Sequence, residues 1–225
     1  WGFKIGAGID ANVGNTEQTA INANFSLRRE DRWTRGEIAY FGSYGTADGQ
    51  ENINRHRLDN KFDWFFSRHL YWSIVDIPVL NDRFQNLDVR VTPSTLLGWQ
   101  VFELARFEWK VEAGVGYQYT NFISVEPLQE PSVSDAAIRL WTSFKWDILS
   151  DLDLKFQHDT ILVPTDMGQT SHYTRAILKY ELTDLLKLET TFVHSRIWQP
   201  VPTADGTQPK SDDFQLIVGF AFEVY

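Results

Sequence analysis

The chain has 225 residues, no cysteine, a net charge of -9, 23% charged residues and a mean hydropathy of -0.32. Lack of cysteine excludes disulfides and thiolate metal sites. An acidic chain without a basic patch disfavours nucleic-acid binding, and no stretch approaches the roughly 18 consecutive apolar residues of a membrane helix. The absence of a Pro/Gly/Ser-rich linker predicts one domain over 1–225. These values read as an ordinary soluble protein, yet a barrel gives the same average when half of each strand faces water. The 15% of aromatic residues, nine Trp among them, suits girdles at two membrane interfaces.

In chain order, apolar and polar residues alternate over twelve segments: 2–14, 17–30, 32–46, 52–67, 69–81, 87–102, 106–121, 134–149, 151–162, 171–183, 185–198 and 212–225. The first sets Phe3, Ile5, Ala7, Ile9, Ala11 and Val13 against Lys4, Gly6, Gly8, Asp10 and Asn12; the second sets Ile21, Ala23, Phe25 and Leu27 against Asn22, Asn24, Ser26 and Arg28. The seventh interleaves Phe107, Trp109, Val111, Ala113, Val115, Tyr117 and Tyr119 with Glu108, Lys110, Glu112, Gly114, Gly116 and Gln118. A soluble sandwich also alternates. Here, however, Trp and Tyr of the apolar face fall near segment ends while the polar face keeps charges in mid-strand, which predicts lipid outside and a polar lumen inside.

The connections alternate in length. Glu30-Asp31, Ser67-Arg68, Glu103 to Ala105, Ser150 and Asp184 are short, whereas Gly45 to Glu51, Asn121 to Ser134, Val163 to Thr170 and Gln199 to Lys210 are longer. This predicts an all-β, single antiparallel transmembrane β-barrel of twelve strands in the outer membrane of a Gram-negative-type cell, with both termini periplasmic. Ten strands follow if two segments merge. The segment least regular in phase is 69–81, where Asp76 and Pro78 interrupt; a proline there predicts a bulge, because a closed barrel has no edge. The chain opens at Trp1 without an export signal, which we expect to have been removed. Its last segment carries Phe214, Leu216, Val218, Phe220, Phe222 and Val224 on the lipid face. Gly219, Phe222 and Val224 match the glycine-and-aromatic ending read by the barrel-assembly machinery, with Tyr225 one residue beyond it on the opposite face.

Gly14-Asn15-Thr16, Asn54-Arg55-His56-Arg57, Lys61-Phe62-Asp63-Trp64-Phe65, Ser67, Leu70-Tyr71, Asp82-Arg83-Phe84, Leu87, Arg90 and Glu112-Ala113-Gly114-Val115-Gly116-Tyr117 together span the first half of the chain and more. In these residues the chain resembles the salt-induced outer-membrane protein family (YdiY-like), a domain of unknown function. The second half is similar mainly in pattern, and Pro93 to Trp99 departs from the glycine-richer strand of the family. The resemblance implies an outer-membrane barrel with an envelope-stress or osmotic role, and it transfers no catalytic residue.

The inward positions predict a lumen lined by Lys4, Asp10, Arg28, Arg57, Asp59, Lys61, Asp63, Arg90, Glu108, Lys110, Glu112, Arg139, Lys145, Asp153, Lys155, Arg175, Lys179 and Glu181, with Asp147, Asp159, Lys187 and Glu189 in the same pattern. Opposite charges on neighbouring strands can pair. They then act either as struts filling a narrow interior or as the wall of a water path for small solutes, with signs too balanced for strong selectivity. For lipid hydrolysis the candidates are Ser171 with His172, His158 with Asp159, and His194 with Ser195. Adjacent strand residues point to opposite faces, so neither Ser/His pair can form the nucleophile-to-base hydrogen bond; we expect no enzyme. No cofactor and no metal site is expected, since no pair has ligand spacing, although Asp166, Asp205, Asp212 and Asp213 could hold Ca²⁺ loosely or bridge to lipopolysaccharide cations. The expected partners are outer-membrane lipid and lipopolysaccharide, with the long acidic-polar loops as a surface for other proteins or as lumen plugs.

Overall fold

A computed structural model describes residues 1–12 and 18–224, and the side chains of all these except 10–12 and 18. The chain forms β1 (Gly2–Asn12), β2 (Gln18–Glu30), β3 (Thr34–Ala47), β4 (Gln50–Phe65), β5 (Leu70–Asp82), β6 (Leu87–Val91), β7 (Ser94–Leu104), β8 (Phe107–Phe122), β9 (Ser132–Asp147), β10 (Leu152–Leu162), β11 (Ser171–Glu181), β12 (Leu186–Ile197) and β13 (Asp212–Val224). Two short 3₁₀ turns occupy Arg83–Gln85 and Met167–Gln169. Every pairing is antiparallel, and β1 pairs with β13 from Phe3↔Val224 to Ile9↔Val218, so the sheet closes on itself.

The wall has twelve places for thirteen strands. Both β6 and β7 pair with β5 on one side and β8 on the other. They are the two halves of the strand expected over 87–102, parted at Thr92 and Pro93. Proline has no N–H for the ladder and breaks it there; the Thr92 N–H instead reaches the Pro78 carbonyl and that of Tyr117 the Pro93 carbonyl.

The bulge expected in the fifth strand lies at Ile74. Asp63 faces Ser73 and Phe62 faces Val75, leaving Ile74 without a partner on β4. One extra residue inverts the parity of everything after it: Tyr71 and Ser73 are buried before the bulge, Asp76 and Asp82 after it. The same event explains why no single phase fits this segment in the sequence.

Both described chain ends and the connections 31–33, 66–69, 105–106, 148–151 and 182–185 lie at one end of the barrel, the turn end. The loop end carries 48–49, 83–86, 123–131, 163–170 and 198–211. The longer loop expected between Gly45 and Glu51 is instead a two-residue turn, because Thr46 and Ala47 still pair with Glu51 and Gln50. Asp48 and Gly49 both have positive φ, 49° and 75°, as the tight hairpin turn matching strand twist requires.

Large apolar side chains cover the outside, among them Ile5, Ile9, Ile21, Leu97, Val115, Phe214, Leu216 and Phe220, while the buried set is rich in Arg, Asp, Glu, Gln, Ser and Thr. This inversion of a soluble fold is what a lipid solvent selects. The Trp residues are distributed unevenly. Trp1, Trp33, Trp64, Trp72, Trp99, Trp109 and Trp146 sit on the outer face toward the turn end, with Trp64 opposite Trp72, Trp99 opposite Leu70 and Trp146 opposite Phe107. Trp198 is at the loop end, and Trp141 lies inside against Lys61.

Candidate functional site

Strand alternation sends every second residue inward, and contacts between strands that are not neighbours in the wall show how the interior is occupied. On β4, Arg57 binds Asp59 at 2.9 Å and crosses to Asp159 of β10 at 3.0 Å. Asp159 also takes Arg139 of β9 at 2.9 Å, and Arg139 reaches Asp76 of β5 at 2.7 Å. Asp76 lies 3.7 Å from Lys61, whose ammonium binds Glu112 of β8; Glu112 accepts the Tyr71 hydroxyl at 2.7 Å. The chain of contacts therefore runs Asp59, Arg57, Asp159, Arg139, Asp76, Lys61, Glu112, Tyr71 and ties five strands of the wall together, β4, β5, β8, β9 and β10. Rings reinforce it: Lys61 stands 4.6 Å from the Trp141 centroid and Arg57 4.2 Å from that of Tyr173. Such contacts add attraction where the cation is desolvated.

A second group is centred on Asp63, which has no exposed surface and accepts from Arg35 at 2.5 Å and from the Ser73 hydroxyl at 2.5 Å. Toward the turn end, Lys179 lies 3.1 Å from both Asp153 and Glu223, Lys187 binds Glu181 at 2.6 Å, and Lys4 binds Glu189 at 2.5 Å. Arg28 pairs with Glu30 and Lys145 with Asp147 in half-exposed positions at that mouth. Lys110 is 3.6 Å from Glu108, Arg175 donates to Gln157, and Lys155 lies in the field of Glu37, Arg175, Lys4 and Arg28. Toward the loop end, Arg55 takes Asp82 at 2.5 Å and Asp213 at 2.9 Å, while Arg90 binds Thr120 and Gln169. The side chain of Asp10, the hairpin at Gly14-Asn15-Thr16 and the terminal Tyr225 lie outside the described residues; Gly219, Phe222 and Val224 lie on β13, the latter two exposed on its outer face. Gly219 is forced locally, because a Cβ there would run into the Ala7 carbonyl and the Gly8 backbone across the β1–β13 seam.

Sequence reading passed over Arg35, Arg55, Tyr71, Asp76 and Asp82 as interior groups. Arg55 shares the parity of Arg57, and Arg35 is two residues from Glu37, so alternation could have found both. Asp76 and Asp82 were hidden by the bulge at Ile74. The Ser/His candidates separate as strand geometry demands. Outward His158 bonds Thr174 and Thr160, outward His172 bonds Thr160 and Trp198, and His194 bonds Asp212 at 2.9 Å and stacks on Phe214. Asp159, beside His158 in sequence, is inside with the arginines. Of the loop carboxylates, Asp166 caps the 3₁₀ turn through Gly168, Asp205 accepts from Thr203 and Thr207, and Asp213 is spent on Arg55.

At the loop end, connections from opposite parts of the wall are joined to one another, and the joining residue is Asn86. This residue is buried with φ 58°, a left-handed conformation Asn tolerates well. Its amide nitrogen donates to the carbonyls of Ser124 (2.7 Å), Val201 (3.1 Å) and Pro202 (3.2 Å), and its oxygen accepts from the Ser124 N–H at 3.1 Å. The 198–211 loop thus starts from β12 and is held beside β6, five places away around the wall. Leu87, Phe122 and Ile197 pack beneath it, with Val125, Val133 and Val201.

A family model described as "Protein of unknown function, DUF481" matches residues 5–224. No curated protein matches the chain. Among solved structures it is similar to the NanC porin, at 12% identity and TM-score 0.54 with 100% of each chain covered. It is also similar to the KdgM porin in complex with disordered oligogalacturonate, at 8% identity and TM-score 0.50 with 99% of each covered. At these identities the likeness is one of fold, that of a multi-pass outer-membrane β-barrel.

Proposed function

The chain belongs to the DUF481 family, and from that premise and its charged interior we propose that the barrel is a narrow conduit for passive passage of small hydrophilic solutes. The observation that carries this reading is the interior itself. Charges occupy it from the turn-end mouth, at Arg28 and Lys145, to the loop-end groups around Arg55 and Arg90. Interior charge is costly unless paired or hydrated, and a wall whose charges meet water along its length is a path for solutes. The porins it is similar to in fold support the reading. So does the part of the lumen around Lys155, which lies in the field of Glu37, Arg175, Lys4 and Arg28. A role in envelope stress or osmotic adaptation, assembly through the β13 ending, and contact with lipopolysaccharide at the loop end belong to the same proposal. No catalytic role is assigned to any Ser or His.

One observation favours a second reading. The Arg57–Asp159, Arg139–Asp76 and Lys61–Glu112 contacts bridge distant strands, and struts of this kind close a barrel that acts only through its loops. Single-channel recording of the refolded chain in a planar bilayer separates the two. The conduit predicts steady conductance steps and, in Lys155→Glu, a reversal potential shifted toward cations. Silence from a barrel with the heat-shifted gel mobility of the folded form would overturn the conduit in favour of the strut-filled barrel.

A further inference from the structure

The loop-end half of the interior contains a group of cations whose hydrogen-bonding capacity is not used up by the protein. The register places Arg57 on β4, Leu80 on β5 and Arg90 on β6 in one rung, and Arg55, Asp82 and Leu87 in the rung above. Two rungs thus bring three guanidinium groups to one side of the lumen, and all three residues are buried. Arg57 and Arg55 are matched by carboxylates. Arg90 is not: its Nε donates to Thr120 at 3.0 Å and one terminal nitrogen to Gln169 at 2.7 Å, both neutral acceptors, and among the described residues no carboxylate lies within ion-pair distance of it, the charges of Asp166 and Asp82 reaching it only from farther off.

The unspent groups converge. The second terminal nitrogen of Arg90, the Nη1 of Arg55, the amide nitrogen of Gln85 and the hydroxyl of Tyr173 all lack a partner in the protein. Their residues line one cavity of about 40 Å³. Three of the four groups can only donate and the fourth can donate. A buried cation with no carboxylate in contact is expensive, so the matching occupant is negatively charged and rich in acceptors. A cavity this small suits a compact group such as a carboxylate or phosphate rather than a sugar. Guanidinium forks suit such planar or tetrahedral oxygens.

We propose that this pocket, built by Arg90 with Arg55, Gln85 and Tyr173, binds a free small oxyanion just beneath the loop-end connections. Binding does not depend on conduction, so a barrel silent in a bilayer would leave the pocket standing. The test uses the refolded full chain in detergent. The midpoint of its heat-induced gel-mobility shift is followed in inorganic phosphate and in chloride at equal ionic strength. The pocket predicts a saturable rise with phosphate in the native protein and its loss in Arg90→Gln. No rise, or an equal rise in both proteins, would overturn it. If Arg90→Gln does not fold, phenylglyoxal labelling of the native barrel read by mass spectrometry decides the matter: phosphate should slow modification of Arg90 at least ~10-fold relative to chloride, and unchanged labelling would refute the site.

Discussion

Replacing Asn86 with Gly tests whether one side chain latches the loop-end connections together. Glycine adopts the positive φ of this position without strain, so the substitution removes the amide and leaves the backbone turn intact. The amide nitrogen has two hydrogens for its three carbonyl acceptors, and the oxygen accepts one more bond from the Ser124 N–H. Of these bonds only those to the Val201 and Pro202 carbonyls reach the 198–211 loop, and leaving these acceptors without their donor costs about 1.5 kcal/mol. Since each 1.4 kcal/mol is tenfold in a population, the open form of the 198–211 loop should rise about 10-fold. Lys210 is the one basic residue of this loop, so trypsin reports its opening through a single cleavage. At low protease the rate follows the open population, and cleavage after Lys210 should accelerate by the same ~10-fold in Asn86→Gly. The folded gel mobility should be unchanged. Asn86→Asp keeps the acceptor, loses both donors and sets a carboxylate against three carbonyls, so it should open the loop at least as far. A cleavage rate that stays within about threefold of the native one would show that the apolar packing of Leu87, Phe122 and Ile197, and not the amide, holds the loop.

Asp159→Asn leaves Arg57 and Arg139 facing each other across the lumen without their shared carboxylate; removing one member of a buried charge group costs about 3–5 kcal/mol, to be seen as a lower urea midpoint for unfolding of the barrel in lipid. Glu112→Gln keeps shape but not charge beside Lys61 and Tyr71 and should cost somewhat less, about 2–3 kcal/mol; an unchanged midpoint would show that the lumen there is hydrated enough to replace the pair. In the exposed 198–211 loop, the Thr203 hydroxyl and the Thr207 N–H hold the Asp205 carboxylate below its usual range. A depressed folded-state value means the turn is supported above the ordinary carboxylate value of 3.8 and loses that support as pH falls below it. Amide exchange of Thr207, followed by NMR between about pH 5 and 2 and corrected for intrinsic rates, should lose protection on acidification, and Asp205→Asn should flatten the profile.

Strand number and nearly every strand boundary were legible because alternation is a local signal repeated in each segment. The β8 pattern from Phe107 to Phe122 needs no tertiary information to be read. Features created by a change of phase were harder. Ile74 adds one residue to β5 and flips Asp76 and Asp82 inward, so Asp76, one of the most buried carboxylates, looked like an interruption. Thr46 and Ala47 looked like loop because glycine and threonine precede a turn as readily as they end a strand, and only pairing with Glu51 and Gln50 places them in the wall. The least legible residue was Asn86. Its role depends on carbonyls from Ser124, Val201 and Pro202, which come together only once the barrel has closed, and nothing in the Gln85-Asn86-Leu87 stretch announces them. The Arg90 pocket was half visible: parity turned the side chain inward, but the shortage of carboxylates around it exists only in three dimensions.

The lopsided distribution of Trp has a mechanical consequence. Indole rings settle at the headgroup boundary, and seven of the nine form a collar toward one rim, so Trp moors the barrel chiefly on that side, with Tyr44, Tyr117 and Tyr119 exposed toward the other. When bilayer thickness changes, mismatch costs fractions of a kcal/mol per Å and is relieved wherever anchoring is weakest. The collar stays level, and the opposite rim, with its loop tied down at Asn86, rises or sinks relative to its own headgroups. Lateral packing of the lipid thereby gains leverage on the entrance to the lumen.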